Sequence, residues 1–245
     1  MLLRQVHSSK MANIAAMIVE PVVLEGRKVR LEPMRMEHLP ALAEVAFEPE
    51  VWRWMPMRVE SEADLRRWME QALEQQAMGK AVPWVTISRA DGRVVGSTRY
   101  MDIDPRNFGL EIGGTWLAAG WQRSGINVEA KYLQLEHAFE RLGAIRVSLK
   151  THHGNLRSQT AIAALGAKPE GTFRNHMIMP DGSFRHSVWY SVIREDWPEV
   201  KAGLEARLAR YEQCGLPGRE AVIPEFRRDS EPERPAQRAS APCCV

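Results

Sequence analysis

In the segment Trp121-Gln-Arg-Ser-Gly-Ile-Asn-Val-Glu-Ala-Lys131, a short polar loop around Gly125 runs into a strongly helical pattern. Just upstream, Leu110-Glu-Ile-Gly-Gly-Thr-Trp-Leu117 reads as a strand ending in small residues. A strand, a glycine turn and a helix N-terminus bring several backbone N–H groups and the positive end of a helix dipole to one point. That is an anion site, and pyrophosphate is its usual occupant. Gly125 has no Cβ, so a phosphate can approach the backbone closely there.

The elements that must hold this loop follow from periodicity. Val29–Pro33 is a short strand, and Leu39, Leu42, Ala43 and Ala46 repeat at helical spacing. Ser61-Glu-Ala-Asp64 is a capping-box variant opening a helix with Leu65, Trp68, Met69, Ala72 and Leu73, which ends near Gly79. The aromatic and Met-rich stretch from Trp52 to Met57 reads equally well as a packed loop or as one wall of a substrate cleft. Strands at Trp84–Ser88 and Val94–Tyr100 flank an Asp-Gly hairpin turn, and the turn Asp104-Pro-Arg-Asn107 leads into Leu110–Leu117. After the glycine loop, Val128, Tyr132, Leu135, Phe139 and Leu142 mark one helical face that Gly143 stops.

Ile145–Lys150 is then a strand. A shorter helix begins at Asn155 to Ser158, carries Ile162 and Leu165, and ends at Gly166. A hairpin of Thr172–Met179 and Ser183–Ile193 follows, and Asp196 with Pro198 starts a helix bearing Val200, Leu204 and Leu208. The resulting order, β-α-α-β-β-β-α-β-α-β-β-α, predicts an α/β (α+β) fold. Its mixed, mostly antiparallel twisted sheet has about seven strands and helices on both faces. Residues 1–21 are expected as an N-terminal extension, 22–212 as the domain, and 213–245 as a disordered tail rich in proline and charge. Docking of that tail on a partner subunit, hence a homodimer, is the alternative.

Composition excludes several classes. The 245 residues carry 33 Lys and Arg against 31 Asp and Glu, a net charge of +2, which gives no basic stripe for nucleic acid. Arg66-Arg67 and Arg227-Arg228 read as solvated surface. No apolar run approaches the ~20 residues of a membrane span. The first residues lack the apolar core and cleavage site of a signal peptide, and Met11 or Met17 could each be the start. Cys214, Cys243 and Cys244 all lie near the C-terminus without metal or disulfide spacing, so a cytoplasmic location is expected. The terminal Cys-Cys-Val lacks a CaaX arrangement. His152-His153 should point to opposite faces of a strand and has no carboxylate at ligand spacing, so no metal site is expected. His176 and His186 are expected as cross-strand neighbours near a substrate mouth.

From about Val23 to Trp197 the chain resembles the GCN5-related N-acetyltransferases (GNAT) of the ribosomal-protein-acetylating RimJ/RimL type. That family's acyl-CoA motif is Gln/Arg-x-x-Gly-x-Gly/Ala at a helix N-terminus. Gln122 and Gly125 match it, and Asn127 stands where Gly or Ala is usual. Asn tolerates a left-handed backbone and can add a side-chain contact. The family's next landmark, an Asn followed three residues later by a small residue, is present as Asn155 and Ser158. Gly166-Ala167 replaces the usual Gly-Phe.

The resemblance implies acetyl-CoA as donor and no metal. The pyrophosphate would meet N–H groups from Arg123, Ser124, Gly125, Ile126, Asn127 and Val128. The pantetheine arm would enter a gap between the strand Leu110–Leu117 and the strand Ile145–Lys150, where Gly113-Gly114 suits a bulge or a close approach. Thr115, Trp116, Leu117, Gln122, Asn155 and Ser158 complete the expected cofactor contacts, with an N–H near Trp116 or Leu117 as oxyanion donor. Glu111 is the candidate base, acting through a water. A tyrosine acid common in relatives is replaced by Ile162, which leaves Ser158 as candidate acid unless its hydroxyl only caps its helix. The implied reaction is direct acetyl transfer in a ternary complex to a primary amine, either a protein N-terminus or a small molecule. The alternative is a non-catalytic acyl-CoA-binding or regulatory module.

Overall fold

The computed structural model of the chain describes residues 16–213. The expected disordered tail, the three cysteines, Arg227-Arg228 and the start of the N-terminal extension lie outside the described residues.

Eight strands are present: β1 (Leu24–Glu25), β2 (Val29–Pro33), β3 (Val82–Ser88), β4 (Val94–Asp104), β5 (Gly109–Leu117), β6 (Arg146–His152), β7 (Lys168–Ile178) and β8 (Phe184–Ile193). The helices are α1 (Leu39–Ala46), α2 (Pro49–Trp52), α3 (Glu62–Ala77), α4 (Ile126–Glu136), α5 (Leu156–Ala163) and α6 (Trp197–Gln213). The strands form one sheet in the order β1-β2-β3-β4-β5-β6-β8-β7. Neighbours are antiparallel except β5 and β6, which α4 connects as a parallel crossover.

Local chemistry explains the boundaries. The Ser61 side chain accepts the Asp64 N–H at 3.2 Å and so caps α3, while the Asp64 carboxylate returns to the Glu60 N–H at 3.2 Å, one residue before the N-cap, so only the first half of the expected capping box forms. The β3–β4 turn closes with the Gly92 N–H donating to the Ser88 carbonyl at 2.8 Å, with Gly92 at φ 72°. The long apolar repeat after Gly125 is not one α-helix. Beyond Glu136 it passes into a π-helical turn, His137–Arg141, before Gly143 ends it at φ 70°.

Side-chain alternation splits the interior into two clusters on opposite faces of the sheet. Tyr100, Leu110, Ile112, Val147 and Leu149 pack with Leu135 of α4 and Leu204 of α6. Met34, Val85 and Trp116 pack with Leu42 of α1 and Leu65, Trp68 and Met69 of α3. Two features were not expected from periodicity. The eighth strand, β1, has two residues, and the turn after it rests on Glu129 of α4. That carboxylate accepts the N–H groups of Arg27, Lys28 and Val29 at 2.7–2.9 Å. Met17, assigned above to an appended extension, is buried, and its N–H donates to the Pro105 carbonyl at 3.0 Å. Among the described residues no helix is long and apolar enough to cross a membrane.

Candidate active site

β5 and β6 pair over three positions only, Gly109 with Arg146, Leu110 with Val147 and Glu111 with Ser148. Beyond them β5 stays with β4 and β6 stays with β8, so the facing edges separate. The cause is visible in the β4–β5 ladder. Arg99 pairs with Gly113 but Ser97 pairs with Trp116, so β5 carries an extra residue there, and Gly114 adopts φ 55°. A bulge of this kind bends its strand and ends regular pairing on the other edge. The glycines also admit close neighbours. A Cβ on Gly113 would lie 2.5 Å from Met101 Sδ, and one on Gly114 2.5 Å from Arg99 Nε. A cavity of about 510 Å³ runs along the resulting gap.

One end of the cavity meets the N-terminus of α4. Gly125 is the N-cap, with φ 92°. Among the described residues, the N–H groups of Gly125, Asn127 and Val128 find no acceptor, and all three residues line the cavity. Left-handed backbone falls on Arg123 (φ 64°) and Gly125, whereas Asn127 is helical, so the tolerance of Asn for that conformation is not used. Arg123, Arg157 and Arg207 border the same end, which suits a polyanion. Gln122 ties the ends of the gap together: its Nε2 donates to the Leu117 carbonyl at 3.0 Å, and its Oε1 accepts from Arg157 at 2.8 Å.

Thr115, Trp116, Leu117, Asn155 and Ser158 also line the cavity. Ser124 and Ile126 do not. The Ser124 hydroxyl closes the loop on the Trp121 carbonyl at 2.6 Å, and Ile126 is buried in the core. Asn155 caps α5, its side-chain oxygen accepting the Ser158 N–H at 3.1 Å. The helix cap is therefore Asn155, and the Ser158 hydroxyl is not needed for it. Ile162 is buried and presents hydrocarbon to the cavity.

On the face away from α4, register places Arg99 and Met101 of β4, Glu111 and Gly113 of β5, Lys150 of β6 and Trp189 of β8 in one row. Glu111 is 2% exposed. Lys150 Nζ donates to its Oε2 at 2.5 Å, reaches Asp102 at 3.4 Å, and lies 4.7 Å from the centre of the Trp189 ring. Burial pushes the Glu111 carboxyl up to about 7 even though Lys150 favours its charged form. The Trp52–Met57 stretch divides between its two readings: Trp52 is buried against Trp68 and Trp116, while Trp54, Met55 and Met57 wall the cavity.

Sequence reasoning passed over Lys131. It is 5% exposed, and its Nζ donates to Thr115 Oγ1 at 2.7 Å, Thr98 Oγ1 at 2.9 Å and Gln134 Oε1 at 2.9 Å. Burial among these neutral acceptors pulls the ammonium down to about 7. Its place three residues after Val128 and four before Leu135 was the available signal, since that spacing puts it on the apolar face. The histidines differ from expectation. β6 ends at His152, so the rings of His152 and His153 stack at 4.3 Å instead of opposing, and His153 meets His186 at 4.7 Å. A bulge between Phe173 and Met177 takes His176 to Ser187 and Trp189 instead. Among the described residues no three His, Cys, Asp or Glu groups converge as metal ligands.

Residues 28–168 match the acetyltransferase (GNAT) domain family. No curated protein matches the sequence. Among solved structures, an acetyltransferase from T. thermophilus is 42% identical over 78% of this chain and 100% of that one, with a TM-score of 0.71. A GCN5-related N-acetyltransferase from Brucella melitensis is 29% identical over 80% of this chain and 90% of that one, with a TM-score of 0.74. Mycobacterium smegmatis RimJ in complex with CoA-disulfide shares the fold at 21% identity, 73% and 88% coverage and a TM-score of 0.64.

Proposed function

The chain belongs to the GNAT acetyltransferase family, and from that premise we propose that it transfers the acetyl group of acetyl-CoA to a primary amine by direct attack in a ternary complex. The observation that carries this reading is the parting of β5 from β6 between two different ends. One end holds unpaired N–H groups at α4, and the other holds the buried Glu111–Lys150 pair. The unpaired N–H groups and the arginines around Gly125 fit a pyrophosphate, and the open edge of Ile112–Leu117 fits an extended amide-bearing arm. That RimJ was solved with a CoA derivative supports the same donor.

Bound acetyl-CoA supplies the thioester, whose C–S bond breaks as the amine forms its C–N bond. The chain does the rest. Glu111, with a carboxyl at about 7, takes the proton of the attacking ammonium, directly or through a water. Backbone N–H groups at Trp116 or Leu117 stabilise the carbonyl oxygen as charge gathers on it. Ser158, whose hydroxyl is not committed to the α5 cap, gives its proton to the departing thiolate and is reprotonated by the second proton that the nitrogen sheds as the amide forms. The acceptor is a protein N-terminal amine or a small-molecule amine. A screen of peptide N-termini and small amines with acetyl-CoA, read as free CoA and acetylated product, tests the proposal. CoA binding without turnover across the panel would contradict it.

A further inference from the structure

Buried charges are paired, because moving an unpaired ion out of water costs several kcal/mol. Arg99, half-buried in the cavity wall, departs from this rule at its Nε. Its guanidinium lines the cavity, yet no hydrogen bond or ion pair joins it to any described residue, and its Nε is buried without a partner. It lies against the Trp68 ring, 4.8 Å from Cζ, and against the bare backbone of Gly114. Trp116, whose ring lies 6.2 Å from that of Trp68, also lines the cavity and also has a buried, unpartnered N–H, Nε1. Both orphaned groups are donors, so what they lack is an acceptor.

The neighbouring charges do not supply one. The Glu111 carboxylate is held by Lys150, and Asp102 reaches the same lysine. Arg185, 6% exposed, finds only neutral oxygens, Ser187 Oγ at 3.0 Å and the Trp54 carbonyl at 3.2 Å. Glu50, at the rim, is exposed and pairs with Arg53. The face therefore carries an excess of positive charge inside a wall of Trp54, Met55, Met57, Met101 and Met177. Burial lowers the Arg99 guanidinium to about 10, which leaves it charged at neutral pH.

We propose that the acceptor amine also bears a carboxylate, and that Arg99 binds it while the amine stands at Glu111, on the other side of Gly113-Gly114. The acceptor is then an amino acid or short peptide acid with an apolar body, for which the methionines give an adaptable wall. The geometry suits this, since a Cβ on Gly113 would meet Glu111 Oε1 at 2.8 Å and one on Gly114 would meet Arg99, so carboxylate and guanidinium flank one dipeptide. The inference rests on the N-acetyltransferase reading above and narrows its acceptor.

The test uses the full chain with acetyl-CoA and matched acceptors: leucine, methionine, leucyl-glycine and 6-aminohexanoate, each against its carboxamide. Mass spectrometry of the product accompanies CoA release. At least one acid is expected to exceed its amide by roughly tenfold or more in kcat/KM, the scale of one charge-assisted hydrogen bond. R99Q should raise KM for that acid and erase the preference, so that the acid-to-amide ratio in kcat/KM falls to about one. Acetylation with no preference for acids, or R99Q slowing acid and amide alike, overturns the inference and leaves the transferase reading intact. No CoA release with either series overturns the inference; the transferase reading falls only if the broad screen of peptide N-termini and small amines is silent as well. The acid-to-amide ratio of the unmodified protein decides the matter even if R99Q does not fold.

Discussion

Lys150 holds Glu111 from across the last paired step of β5 and β6, with Nζ 2.5 Å from the carboxylate, while the face of Trp189 covers the same ammonium. Two opposing effects meet at this carboxyl. Burial raises it to about 7, and the lysine keeps it from rising further. A carboxyl so poised is half ionised near neutral pH, the condition in which a general base is most effective.

The pH dependence of turnover follows. kcat/KM should fall on the acid side through a limb near 7, set by protonation of Glu111. E111Q should remove the limb and lower kcat by about 10²–10⁴-fold, with little change in CoA affinity. K150M removes the charge that favours the carboxylate, so its limb should move to higher pH. Rate profiles of the three proteins check this, and a wild-type limb retained in E111Q excludes Glu111 as the base.

Stability should respond to pH with two slopes of opposite sign. Glu111 has its folded value raised from 4.5 to about 7, so its contribution is full below 4.5 and is lost as pH rises through 7. Lys131 has its folded value lowered from 10.5 to about 7, so its contribution is full above 10.5 and is lost as pH falls through 7. Each slope approaches about 1.4 kcal/mol per pH unit inside its window. E111Q should flatten the acid-side slope alone, and K131M the alkaline one alone. Thermal unfolding across pH 5–10 (about half-unit steps suffice) reads both, and a slope unchanged by its own substitution rejects that assignment.

Gly125→Val should weaken coenzyme A binding. The residue sits at φ 92°, and a Cβ there would lie 3.1 Å from Tyr211 Cγ and 3.3 Å from Lys28 Cδ. A β-branched residue costs about 1–2 kcal/mol for the left-handed backbone alone and presses on Tyr211 and Lys28, so the loop that offers its N–H groups must shift. Calorimetry should show affinity reduced by roughly tenfold or more, with Gly125→Ala intermediate. Unchanged affinity in the valine variant removes the loop from the cofactor site.

What could be read from the sequence was whatever local chemistry determines. The Ser61 N-cap, the Asp-Gly hairpin, the Gly125 turn and the Gly113-Gly114 bulge each depend on a few adjacent residues, and each has a fixed backbone consequence. Lys150, Arg99 and Lys131 were missed for a different reason. What matters about each is a partner, or the want of one, on another strand or helix. Glu129 is the extreme case, since its carboxylate shapes a turn about 100 residues away. The histidine pair shows the converse. Alternation holds only inside a strand, and β6 ends at His152.

Asn155, the cap of α5, and Ser158, the proposed acid, lie within a single turn of that helix. The Asn155 side chain accepts the Ser158 N–H at 3.1 Å, so the cap survives without the serine hydroxyl. N155A should cost about 1 kcal/mol of stability, the usual worth of an N-cap. S158A should leave the unfolding temperature in place and slow turnover by about tenfold or more, with the loss greatest when the leaving thiolate has no proton source. The decisive measurement is the split between the two variants in unfolding temperature and in kcat. Equal losses of stability would return Ser158 to the helix cap, and an S158A enzyme with full turnover would leave protonation of the thiolate to solvent.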